Sequence, residues 1–94
     1  MIIVSGPQFA AMYDALDNSE KLRVSKSLDR LEKALEPIGK PLRGGLSSCR
    51  SIRTGHNSRL RIVYRSIEET AELIAVGPRR GSSVYIIALE ILEN

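Results

Sequence analysis

The chain has 94 residues, 43% hydrophobic, 27% charged and 4% aromatic, the composition of an ordinary globule with length for one core but not two. Its formal net charge of +3 leans toward anionic partners, and the excess is local: seven basic residues stand between Lys40 and Arg65 without an Asp or Glu, whereas the first 39 residues set five basic against six acidic. A lone cysteine, Cys49, excludes an internal disulfide, no run reaches the roughly 18 apolar residues of a membrane span, and no charged start leads into a long apolar stretch, so a cytoplasmic location is expected.

"MIIVS" reads as a first strand, and Gly6-Pro7 turns it directly into a helix with proline in its first turn. Phe9, Met12, Tyr13 and Leu16 fall at i, i+3, i+4 and i+7, the stripe of a helix that stops near "DNS". A second helix follows, with Asn18 or Ser19 as its cap and Val24, Leu28, Leu31 and Leu35 on one face. Pro37, Gly39 and Pro41 end it and open the loop "GKPLRGGLSS".

Beyond that loop the period changes. "CRSIRT", "SRLRIVYRSI" and "TAELIAVGP" read as three strands joined by the short connections "GHN" and "EE", which makes the sheet mainly antiparallel. The apolar run Leu73 to Val76 fits a strand buried on both faces. Ser82 or Ser83 as cap, with Val84, Ile87 and Ile91 at helical spacing, predicts a last helix. The order is β-α-α-β-β-β-α, an α+β domain over residues 1–94 with its two N-terminal helices covering one sheet face.

The other face carries the chemistry. Alternation along "SRLRIVYR" sends Arg59, Arg61 and Arg65 to one side and Leu60, Ile62 and Tyr64 to the other. Arg50 and Arg53 on the preceding strand, with Arg79 and Arg80 after the following one, extend the set. A guanidinium suits phosphate because its planar fork donates two hydrogen bonds and its charge persists at any working pH. Taken singly, such arginines belong to a solvated face paired with Glu68, Glu69 and Glu72. Those three glutamates surround one turn and neutralise only part of the set, which leaves an anionic polymer as the natural counter-charge.

Tyr85, five residues after the arginine pair, is either a core tyrosine or one whose hydroxyl exchanges a proton in a cationic field. His56, the only histidine, is either an idle loop residue or a general acid or base. One His, one Cys and no acidic cluster at ligand spacing predict no metal, and no Gly-rich loop leads from a strand into a helix, so no cofactor or small-molecule ligand is expected. Cys49 is most simply a small core residue.

The order of elements, "KPLRGGLSSCRSIRTGHNSRLRIVYR" and "ELIAVGPRRGSSVY" together resemble the RelE/ParE superfamily of bacterial toxin-antitoxin toxins over essentially the whole chain. The resemblance implies a small cytoplasmic toxin that a cognate antitoxin protein neutralises by wrapping a segment over its basic face. RelE-type members act with the ribosome and cut mRNA in the A site without a metal; ParE-type members poison DNA gyrase.

Carried over by position, Arg61 matches the arginine that contacts the scissile phosphate, Arg79 the one that supports the transition state, and Tyr85 the tyrosine that stacks on the RNA. Arg50, Arg53, Arg59, Arg65, Arg80 and His56 then count as RNA-binding. One departure is visible: the most studied ribonucleases carry lysines on the strand where this chain has Arg50 and Arg53, and arginine does not exchange protons as lysine does. The base is then Tyr85 or His56, or is absent. A ribosome-dependent mRNA endonuclease is the first functional expectation, a gyrase inhibitor the alternative, and an inactive relative that binds RNA or a partner the third.

Overall fold

The computed structural model describes residues 1–94. Five strands form one sheet: β1 (Ile2–Ser5), β2 (Lys40–Pro41), β3 (Cys49–Thr54), β4 (Leu60–Ile67) and β5 (Thr70–Pro78), in spatial order β1-β5-β4-β3-β2. The helices are α1 (Pro7–Asp14), α2 (Asn18–Lys33) and α3 (Ser83–Glu93). β1 runs parallel to β5, and every other pairing is antiparallel. The α+β order therefore stands, with the two-residue edge strand β2 added at the loop beginning Lys40-Pro41. No helix is long and apolar enough to cross a membrane.

Two apolar layers flank the sheet. On one side Phe9 of α1 and Val24 and Leu31 of α2 pack against Ile52, Leu60, Ile62, Tyr64, Leu73 and Val76. On the other, Val84 and Ala88 of α3 pack with Leu46 on Cys49, Val63, Ile74 and Ala75. The continuous apolar run of β5 serves both layers, and a bulge assists: Val63 pairs with Ala75 and Tyr64 with Leu73, so Ile74 is the extra residue and joins Ala75 on the α3 side.

Several local expectations need correction. The cap of α2 is Asp17, not Asn18 or Ser19; its carboxylate accepts the Glu20 N–H at 2.8 Å. Asp17→Ala is expected to cost about 1 kcal/mol and to lower the melting temperature by roughly 4–8 °C, read by thermal denaturation. Leu35 lies past the end of α2 and is fully exposed, because the helix closes at Lys33 before the stripe can use it. In α3, Ala88 is buried where Ile87 was expected, packing with Val63 and Ala75 of the sheet, and Ile87 is left 40% exposed. Ser82 stands at the cap position of α3, one of the two expected, but its side chain makes no capping hydrogen bond. Ser83 instead donates to the carbonyls of Pro78 and Arg80, fastening the start of the helix to the end of β5.

Candidate functional site

Alternation on β3 and β4 decides which arginines meet. Odd-numbered residues of β3 turn toward the α3 side, so Arg53 faces that side while Arg50 turns to the other and donates to the Gly39 carbonyl at 3.0 Å. Arg53 and Arg61 are paired directly across the two strands. Like charges in register repel, and only an external anion or a local carboxylate relieves them.

No carboxylate does so here. The ion pairs of the molecule are Arg23 with Glu20, Arg59 with Glu20 at 3.5 Å, and Arg65 with Glu72. The expected single face of Arg59, Arg61 and Arg65 is thus divided. Arg59 precedes β4 in a turn and reaches back to α2, Arg65 is neutralised by the neighbouring strand, and Arg61 alone stays without a counter-charge. Glu68 and Glu69 form no ion pair with any of them.

Arg61 lines a cleft of about 810 Å³ that runs from the first turn of α3 across β3 to the β2 edge. Arg53, Arg79, Lys40 and Arg30 of α2 share its wall, and no Asp or Glu does. Arg61 is only 8% exposed, and its guanidinium donates to the backbone carbonyls of Ser58 and Leu60. Burying a charge without a paired ion is costly, and this one stands in the lining of the cleft. Arg79 follows β5 directly, and its N–H donates to the Arg59 carbonyl at 3.0 Å, so its position is set by backbone rather than by its own side chain.

Tyr85 projects into the same cleft from the first turn of α3, with its hydroxyl 3.1 Å from Ser51 Oγ. At the opposite wall, Gly39 has φ +93° and a Cβ would lie 2.6 Å from the Ser51 carbonyl oxygen, so only glycine lets this loop approach β3 so closely. The structure thus brings together Arg53, Arg61, Arg79 and Tyr85. It leaves Arg50, Arg59, Arg65, Arg80 and His56 outside the cleft lining. His56 sits in a turn with its backbone N–H bound to Glu20 Oε1 at 2.9 Å.

Among the cleft residues not foreseen as part of a site are Arg30, Lys40 and Ser51. Lys40 opens the acid-free basic stretch and was legible as charge, whereas nothing in the helical pattern marks Arg30, and a strand serine carries no signal of its own. Cys49 is buried beneath α3, and burial pushes its thiol above the ordinary value of 9.0, which keeps it an inert core residue. Nowhere do three His, Cys, Asp or Glu side chains converge as a metal site requires.

No protein-family model and no curated protein matches the sequence. Solved structures do match. The free state of an arginine-to-alanine double mutant of E. coli toxin RelE superposes with a TM-score of 0.76 at 23% identity, covering 95% of this chain and 94% of that one. The toxin in the intact E. coli RelBE toxin-antitoxin complex superposes at 0.70 with 20% identity, over 82% of this chain and 94% of that one. The conserved hypothetical protein HP0892 from Helicobacter pylori gives 0.51 at 26% identity, over 85% and 96% of the two chains.

Proposed function

We propose, on the premise of this RelE-like fold, that the chain is the toxin of a toxin-antitoxin pair and acts as a ribosome-dependent mRNA endonuclease. The observation that carries the reading is the cleft in which five cations stand without a carboxylate and one of them, Arg61, is nearly buried. Phosphodiester cleavage passes through a phosphorane with more negative charge than the ground state. Preorganised cations around that charge lower the barrier without needing to reorganise.

In this reading the ribose 2′-oxygen attacks the phosphorus in line, the bond to the 5′-oxygen breaks, and the products are a 2′,3′-cyclic phosphate and a 5′-hydroxyl. Arg61 and Arg79 hold the equatorial oxygens, Arg53 and Arg30 the flanking phosphates. Tyr85 stacks on a base; of Tyr85 and Lys40, one takes the proton of the 2′-hydroxyl as the new bond to phosphorus forms and the other gives a proton to the departing 5′-oxygen. With His56 outside the cleft, Lys40 and Tyr85 are the cleft side chains able to exchange protons, since guanidinium does not. At rest acidic residues of an antitoxin cover the same cations; the similarity to a toxin solved within a toxin-antitoxin complex supports a partner of that kind. The expected site of action is the cytoplasm.

The test is 5′-end mapping of mRNA in a purified translation system, run beside a gyrase supercoiling assay. Cuts confined to translated message support the reading. Intact message with inhibited supercoiling replaces it by gyrase poisoning, and intact message with normal supercoiling leaves a chain that binds RNA or a partner without acting.

Binding itself has an expected salt dependence. Five phosphate contacts to single-stranded RNA give a slope of about −3.5 in log K against log salt, so affinity falls about a hundredfold between 50 and 200 mM. Fluorescence anisotropy of a labelled oligonucleotide reads this, and a slope near −1 rules out engagement of the whole cleft.

A further inference from the structure

The buried acid of this molecule is Glu20, 4% exposed, in the first turn of α2 on the far side of the sheet from α3. Its two oxygens divide their partners. Oε1 accepts the backbone N–H of His56 at 2.9 Å and lies 3.6 Å from the Arg23 guanidinium of its own helix, and Oε2, which has no hydrogen bond, lies 3.5 Å from Arg59 Nε. The carboxylate thus holds both ends of the turn His56–Ser58 that precedes β4.

That turn is conformationally demanding. Gly55 has φ +83°, and a Cβ there would stand 2.7 Å from Leu60 Cγ and 2.9 Å from Glu20 Oε2. Asn57 and Ser58 both lie in the left-handed region, at φ 53° and 56°, where side-chain-bearing residues persist only when surroundings enforce it. The turn also delivers the cleft. The Ser58 carbonyl accepts the Arg61 guanidinium, and the Arg59 carbonyl accepts the Arg79 N–H at 3.0 Å. Two successive carbonyls of one enforced turn therefore aim the two arginines to which the reaction is assigned.

We propose that Glu20 is a positioning residue, clamping this turn so that Ser58 and Arg59 present their carbonyls to Arg61 and Arg79; its catalytic consequence rests on the endonuclease reading, its structural one does not. Removing the clamp frees the turn to leave its left-handed conformation, and Arg61 loses an anchor. A displacement of about 1 Å at a reacting centre costs on the order of a hundredfold in rate.

The first measurement is the arginine side-chain 15N spectrum of Glu20→Ala, with Arg61→Lys used to assign the Arg61 signals. Separate, slowly exchanging Arg61 guanidinium protons in the native chain and their collapse in Glu20→Ala support the clamp, as does their retention in Glu20→Gln, whose amide oxygen still accepts the His56 N–H. Unchanged Arg61 signals in Glu20→Ala overturn it. If Glu20→Ala does not fold, Arg59→Ala, whose side chain is largely exposed, removes one grip alone; faster Arg61 exchange supports the clamp and native exchange overturns it.

The second measurement is a cycle with Arg61→Ala in the cleavage assay. Glu20→Ala is expected to lower kcat by about 10- to 100-fold with KM little changed, and to lower it by less in the Arg61→Ala background, where only the Arg79 anchor is left to lose. Additive losses mean that Glu20 acts on stability alone and overturn the proposal. A native chain that cuts no RNA defeats the endonuclease reading, while the arginine spectrum still decides the clamp.

Discussion

Cells expressing Arg61→Ala, or Arg79→Ala, without antitoxin are expected to grow where the native chain arrests them, with the variants folded. In the proposed endonuclease each removes a donor aimed at the developing charge, a loss worth about 10²- to 10³-fold in rate. The fold survives for a specific reason. Arg61 has no carboxylate partner, so its removal strands no buried counter-ion, which is the usual source of large losses when a buried pair is broken. Arg79 is exposed, and the bond that places it comes from its backbone, which alanine retains. Circular dichroism and thermal melting within a few degrees of native establish folding, and growth arrest that persists in the double variant overturns the site.

Tyr64→Ala is expected to have the opposite profile, failing through stability rather than chemistry. Tyr64 is fully buried under α2, and its hydroxyl donates to the Ile38 carbonyl. Deleting so large a side chain from a close-packed layer costs about 3–5 kcal/mol, a large share of the roughly 5–14 kcal/mol that holds a chain of this length together. Tyr64→Phe keeps the ring and loses only the hydrogen bond, about 1 kcal/mol.

Removing the Tyr64 phenol also changes how stability depends on pH. Burial raises the phenol of Tyr64 above its ordinary value of 10.0, and burial raises the thiol of Cys49 in the same direction. An acid whose folded pKa is raised stabilises fully below its unfolded pKa and loses that contribution as pH rises through the folded one. Native stability is therefore level at neutral pH and declines from about pH 9 upward, the ordinary value of the thiol. Denaturant melts of Tyr64→Phe should show a shallower alkaline decline, and Cys49→Ala/Tyr64→Phe shallower still. A decline as steep as native in the double variant places the alkaline sensitivity elsewhere.

Much of the architecture was readable because it depends on near neighbours. The strands "CRSIRT" and "TAELIAVGP" appear with the expected bounds, since alternation and a Gly-Pro stop act within a few residues. The stripe of α2 was right through Leu31 and failed at Leu35, because a helix end depends on which carbonyls find partners. The last helix was right in kind and wrong in part of its face: Ala88, not Ile87, packs with Ala75 and Val63, because which helical positions meet the sheet depends on how the helix docks and not on its own spacing. The resemblance stated from "RIVYR" and "VGPRR" agrees with the fold seen in the solved toxins.

The site divides along the same line. Residue order alone determined that the middle of the chain is basic and free of acids, that Arg61 opposes the apolar side of its strand, and that Arg79 and Tyr85 follow the last strand closely. Only the tertiary structure decided which arginines are spent inside the molecule. Glu20, 39 positions before Arg59 in the chain, captures it across the sheet; Glu72 captures Arg65; Arg50 turns away with the pleat; and Arg30 and Lys40 arrive from other elements to take the vacated places. The reason is physical: alternation along a strand is set by the backbone itself, whereas neutralisation of a charge depends on distance in space, which the fold brings about between residues far apart in sequence.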